Sequence, residues 1–303
     1  MAERPQLMPV RQPRGPSPGR IRRRRLVAIS AIVAAVAAGI VAVAVALPHV
    51  HRTRALPPPP PPPPVPFRII FPEGFTRAEM AVRVRDVAQI ARRKRHKPVK
   101  LDAAAYRLAS RRSLIPCFRP RAQRNLEGFL FPATYDFLGS TTSLRLVQDQ
   151  LTTFCQKWRQ VNFTFAKKKN LKPYDVLIIA SMVEKETLAP DERPLVAAVI
   201  YNRLHARMPL GIDATLRYGL HILPTQSILQ SQLDSNNPYN SRKVAGLPPT
   251  PIANPGLASI QAAAHPASVD YLFFVRKPDK VHHFFTASDT AFAQYECAHG
   301  YGC

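Results

Sequence analysis

Two acids two positions apart, Glu184 and Glu186 in the stretch IIASMVEKET (Ile178–Thr187), are the residues best placed to do chemistry. The stretch is otherwise largely apolar and reads as one buried helix. At about 100° per residue, Glu186 shares a helix face with Ile179, Met182 and Val183, seven, four and three residues back. A carboxyl group among apolar side chains keeps its proton to higher pH, because desolvation penalises the charged form. Such an acid can donate a proton near neutral pH. The competing reading is an ordinary helix end at which both acids cap or pair. No HExxH, GxxxxGK or GxGxxG motif and no zinc spacing is present, so neither a metal nor a cofactor is expected. Cys117, Cys155, Cys297 and Cys303 have no CxxC spacing, which argues against a metal cluster or redox motif and leaves their pairing open.

The elements around this helix set the architecture. The 303 residues are 46% hydrophobic, enough for one sizeable domain plus attachments. The net charge of +24 calls for an acidic partner: nucleic acid, an anionic membrane surface or a carboxylate-bearing polymer. Residues 1–25 are rich in Pro and Arg, end in Arg22-Arg23-Arg24-Arg25, and are expected to be disordered. Leu26–Leu47 is an apolar run long enough to span a bilayer, with the arginines placing the N-terminus in the cytoplasm. A cleaved signal peptide is the alternative, since Ala42-Val43-Ala44 and Ala44-Val45-Ala46 fit a cleavage pattern. Residues 48–66 hold the unbroken prolines Pro57–Pro64, a polyproline stalk of roughly 25–30 Å.

Residues 67–303 form the expected folded domain, of α+β class. A short strand at Phe67 and a Pro-Glu-Gly turn lead to a helix at Thr76, where Thr76 and Glu79 have capping-box spacing. Leu101–Ser113 reads as a basic helix, and the aromatics from Phe129 to Phe137 alternate as in a strand or extended loop. Ser143–Phe165 reads as a helix with Leu144, Val147, Leu151, Phe154 and Trp158 inside. Asp191–Leu204 is a further helix, 271–275 and 281–286 a hairpin, and Ser288–Tyr295 a last short helix. Between them lie long Gly-, Pro- and Asn-rich loops punctuated by apolar residues, which predicts ordered, packed loops.

Several blocks together carry a resemblance: PEG at Pro72–Gly74, LEGFLFP at Leu126–Pro132, VEKET followed by VAAVIYNRL, IDAT…YG, PYNSR…GLPPTPIANPG, and QAAAHPA…YLFFV…HHFF. In order and spacing, from about Phe67 to Tyr295, the chain resembles the MltG (YceG-like) endolytic murein transglycosylase family. The resemblance implies an enzyme that cuts the MurNAc-β-1,4-GlcNAc bond of peptidoglycan internally and without water, leaving 1,6-anhydroMurNAc ends near the membrane. It places the catalytic acid at Glu186, followed by Thr187, with Glu184 as a structural neighbour. By position in the motifs, Glu127, Asp213, Tyr239, Asn240 and Asn254 are the expected glycan-binding residues. A turn or cap role is the competing reading for each, Asn254 before Pro255-Gly256 above all. His265, His282 and His283 are taken as structural or groove-lining. Many members carry a LysM-like subdomain before the PEG block, where this chain has only the proline stretch and Phe67–Ile70.

The expected partners are peptidoglycan strands, the membrane through one N-terminal helix, and proteins of cell-wall synthesis. The expected location is the plasma membrane, with the domain outside. A non-catalytic peptidoglycan-binding scaffold is the alternative. The anchor, and the lack of a basic helix interleaved with aromatics, argue against nucleic acid.

Overall fold

A run of Val, Ala, Ile and Leu without a breaking proline forms the long helix α1 (Pro18–Ala46). The segment Arg25–Ala42 is long and apolar enough to cross a membrane. The computed structural model describes residues 18–46, 63–96, 98–111, 113–118 and 125–301. Most of the expected tail, most of the proline stalk, Leu47 and Cys303 lie outside these. Within the expected tail, residues 18–25 are helical. Arginine is a good helix former, and Pro18 stands at the first helical position, where its missing N–H is no loss. The chain divides into two compact units, Met1–Pro62 and Pro63–Cys303.

The second unit mixes helices with two small sheets. Strand β1 (Phe67–Ile70) pairs antiparallel with β2 (Thr134–Phe137), Ile69 opposite Tyr135. Helix α2 (Arg77–Arg95) starts at a full capping box: the Glu79 N–H donates to Thr76 Oγ1 and the Thr76 N–H to Glu79 Oε2 at 2.7 Å. Helix α3 (Ala103–Ala109) is shorter than the predicted 101–113, because the Asp102 side chain caps its start and Ser110 ends it. Helix α4 (Ser143–Trp158) buries Leu146, Val147, Leu151, Phe154 and Trp158. Leu144, expected inside, is 50% exposed; it sits in the first turn, beyond the edge of the core. The predicted single helix to Phe165 breaks after Trp158 and resumes as α5 (Thr164–Lys168).

The expected alternation across Phe129–Phe137 holds only in β2. The LEG block is a turn, with the Phe129 N–H donating to the Leu126 carbonyl at 3.0 Å. Gly128 has a left-handed φ of 88°, and a Cβ there would lie 2.7 Å from Pro251. Both Phe129 and Phe131 are therefore buried.

Helix α6 (Pro173–Glu186) is the centre. Every residue from Val176 to Val183 is buried, and the helix packs chiefly on α7 (Arg193–His205) and α10 (Leu257–Ala264). Fully burying each large side chain, such as Leu177, Ile179 and Met182, stabilises the fold by roughly 1.5–3 kcal/mol. A 3-10 turn (Pro190–Glu192) joins α6 to α7. Between α7 and α10 lie α8 (Asp213–Leu220) and α9 (Gln230–Leu233). The hairpin β3 (Phe273–Arg276) and β4 (His283–Thr286) precedes α11 (Asp289–Ala298). Cys117 and Cys155 form a disulfide across 38 residues, a closure worth about 4 kcal/mol in the chain-entropy account. Cys297 is also disulfide-bonded.

Candidate active site

Glu186 is the last residue of α6, so its carboxyl leaves the core where the helix ends. Its face-mates Ile179, Met182 and Val183 are fully buried, while Glu186 itself is half-buried. Burial pushes its carboxyl up to about 7. The Arg276 guanidinium opposes that shift, the Asp213 carboxylate reinforces it, and the nearby Ala214 N–H favours the ionised form. Thr187 is buried, its hydroxyl donating to the Val183 carbonyl at 2.8 Å. With the Thr187 N–H, which donates to the same carbonyl at 3.0 Å, that bond closes the helix just after Glu186.

Helix α8 brings the Ala214 N–H to this acid, and its first turn is held by the PYNSR loop. Ser241 Oγ accepts from the Ile212 N–H at 2.9 Å and lies 2.8 Å from Thr215 Oγ1. The Gly211 N–H donates to the Ser241 carbonyl at 3.0 Å. Asp213, the first residue of α8, pairs with Arg242 at 2.6 Å, both side chains half-exposed. Asp213 thus stands near Glu186 and is partly open to solvent. Ser241 and Thr215 lie inside the motif blocks, but nothing in their spacing says that they face each other.

Glu184 points elsewhere. Its Oε2 accepts from the N–H of Gly256, the residue that starts α10, at 3.0 Å. The Glu73 carboxylate of the PEG turn packs so closely on Gly256 that a Cβ there would collide with it. Burial, and then the charge of Glu184, raise the Glu73 pKa, and Arg193 counters. This second pair of acids locks the PEG turn to the NPG loop, a structural use of Glu184.

Three of the five expected glycan-binding residues are turned inward. Glu127 is 3% exposed and accepts from the Arg77 N–H (2.8 Å), Asn254 Nδ2 (2.8 Å) and the Tyr218 hydroxyl (3.1 Å). Asn254 is fully buried, its Oδ1 accepting from the N–H groups of both Gly128 and Leu130 at 2.9 Å. Asn240, also fully buried, donates to the Leu233 and Ser235 carbonyls at 2.8 Å. These side chains hold loops together instead of lining a surface, because buried loop backbone needs partners and short amides supply them. Tyr239 is half-buried, its hydroxyl 2.8 Å from Thr250 Oγ1 and its ring 5.2 Å from Tyr218. Glu186, Asp213 and the α8 start therefore form the open part, with Glu127, Asn254 and Asn240 as its internal frame.

Among the described residues no three His, Cys, Asp or Glu side chains gather as metal ligands. His283 is buried and pairs with Glu192 at 2.7 Å, bracing the hairpin against the start of α7. A cleft of about 1020 Å³ lies elsewhere, lined by Asp175, Phe165, Tyr201 and Tyr271. Asp175 is in the first turn of α6 and Glu186 in the last, roughly 16 Å away along the helix.

The profile of the YceG-like family matches residues 51–296. The chain is 37% identical over 162 residues to the endolytic murein transglycosylase of Bacillus subtilis (strain 168), covering 53% of this chain and 44% of that protein. It is 32% identical over 211 residues to the endolytic murein transglycosylase of Streptococcus pneumoniae (strain ATCC BAA-255 / R6), covering 68% and 36%. The chain thus spans less than half the length of these curated relatives. Its fold is similar to the crystal structure of a yceG-like protein from Listeria monocytogenes, with a TM-score of 0.64, 26% identity and 75% of each chain covered.

Proposed function

The chain belongs to the YceG-like family, and from its site we infer that it is an endolytic murein transglycosylase with Glu186 as the catalytic acid. The observation that carries this is the Glu186 carboxyl, half-buried at the end of α6 with its pKa raised to about 7. An acid so tuned holds a proton near neutral pH and, being only half-buried, is still open to a substrate.

One such group suffices for cleavage without water. Protonated Glu186 gives its proton to the oxygen linking C1 of MurNAc to C4 of GlcNAc, and the C1–O bond breaks. The MurNAc C6 hydroxyl attacks C1, and the Glu186 carboxylate takes the hydroxyl proton. The products are a 1,6-anhydroMurNAc end and a free GlcNAc end, and the acid returns to its starting state. Ordinary glycosidases need a second carboxylate because water or an enzyme nucleophile must attack. The Ala214 N–H steadies the carboxylate form between the two proton transfers. Asp213, held by Arg242, adds negative charge beside a sugar carbon that becomes positive.

α1 serves as a single-pass anchor in the plasma membrane, with Arg22–Arg25 on the cytoplasmic side and residues 48–66 as the proline-rich link to the catalytic unit. The Cys117–Cys155 disulfide supports an oxidising, extracytoplasmic setting for that unit. Incubating the full chain with purified peptidoglycan and weighing the products by mass spectrometry tests the reaction. Anhydro ends support it. Reducing ends, heavier by one water, make the protein a hydrolase, and uncut strands that remain bound make it a scaffold.

A further inference from the structure

Arg276 ends strand β3, opposite His283, and its Nη2 donates to the backbone carbonyl of Glu186 at 3.2 Å. The side chain is exposed, and none of the ion pairs among the described residues uses it. Arg242 is by contrast satisfied by Asp213. The charged groups acting on Glu186 are Arg276 and Lys185, which favour its ionised form, and Asp213, which opposes them; Arg276 is the strongest of the three. Lys185 is already turned to the Gly74 carbonyl. An unpaired guanidinium beside an acid that must keep its proton works against catalysis unless something else occupies it.

We infer that Arg276 binds a carboxylate carried by the sugar substituent next to the bond being cut. This deepens the reading of the site as a murein transglycosylase and rests on it. N-acetylmuramic acid carries a lactyl group whose carboxyl is either free or joined to a peptide bearing further carboxylates. A guanidinium held by one N–H at the carbonyl of Glu186 has its remaining donors in fork geometry for such a group. Pairing also has a catalytic consequence. The incoming anion cancels the positive field that favours ionised Glu186, so the acid is driven toward its protonated form as substrate arrives. Substrate therefore helps to load the proton used to cut it.

The test compares native glycan strands with strands whose carboxylates have been amidated by carbodiimide, using the full chain in detergent. Arg276→Ala raises KM on native strands about 10- to 100-fold, while its kcat changes far less. Amidation costs the wild type a similar factor and costs the variant little, and Arg276→Lys recovers part of the loss. In the wild type the basic limb of kcat lies at higher pH than that of kcat/KM, and the gap closes in Arg276→Ala. Strands stripped of peptide, which expose the lactyl carboxyl, separate the sources: dependence on Arg276 that persists assigns the lactyl group, and dependence that vanishes assigns the peptide. An equal loss on native and amidated strands, or no loss at all, overturns the inference. Calorimetry of Glu186→Gln with both strand types reads the same contact without cleavage, so it stands or falls apart from the reaction itself.

Discussion

Glu127 and Glu186 are both raised to about 7 by burial, yet their surroundings are opposite. Glu127 is sealed in and receives three donors, from Arg77, Asn254 and Tyr218. Glu186 is half-buried and shares its neighbourhood with the Ala214 N–H, Arg276 and Asp213. One helix joins them: α8 offers the Ala214 N–H to Glu186 and, four residues on, the Tyr218 hydroxyl to Glu127. A perturbed acid therefore does not by itself mark chemistry. What separates the two is access and unfilled hydrogen-bonding capacity, which Glu186 has and Glu127 lacks.

The comparison breaks first at Glu186. Glu186→Gln lowers kcat about 10²- to 10⁴-fold with little change in melting temperature, measured as release of soluble fragments from peptidoglycan. Retained activity would remove the distinction between the two acids. The wild-type kcat/KM should fall as pH rises through about 7, roughly tenfold per unit above it, as Glu186 loses the proton it must donate. A rate that stays flat from pH 6 to 9 refutes that assignment.

Glu127 should behave in the other sense. Glu127→Ala leaves the Arg77 N–H, Asn254 and Tyr218 without their acceptor and costs about 3 kcal/mol in a denaturant titration. A loss confined to substrate binding would return Glu127 to the groove. The folded pKa of Glu127 lies above its ordinary value of 4.5, so its protonated form favours the fold. That contribution is complete below about pH 4.5 and is lost as pH rises through about 7, up to about 3 kcal/mol. Glu127→Gln should flatten this part of the melting-temperature profile; an unaltered slope argues against it. The smallest effect is at the α8 start: Ser241→Ala costs about 1 kcal/mol by calorimetry and lowers kcat more than it raises KM. A change in KM alone would sever the loop from the positioning of Glu186.

Periodicity exposed the parts of the molecule that are periodic. The face of Ile179, Met182 and Val183, the Thr76–Glu79 cap and the final hairpin are visible in residue spacing, because helices and strands repeat. The inward turn of Asn254, Asn240 and Glu127 is not, since each partner lies in an irregular loop or far along the chain. The Asn254–Glu127 bond joins residues 127 positions apart. Leu144 fits the helical stripe of α4 and still faces out, because spacing does not say where a core ends. Tyr218 and Ser241 lie inside motif blocks, but nothing in their spacing, or in that of Arg276, says which residues they meet; only the assembled chain brings Tyr218 to Glu127, Ser241 to the start of α8 and Arg276 to Glu186.

The Cys117–Cys155 bridge ties α4 to the segment that leads into the LEG turn, whose Glu127 frames α8. Material made in a reducing cytosol would carry two thiols there, and the frame beneath the acid would be loosened before any substrate is offered. Recombinant chain therefore needs export or an oxidising refolding step, and a reductant in the assay buffer becomes an inhibitor in its own right.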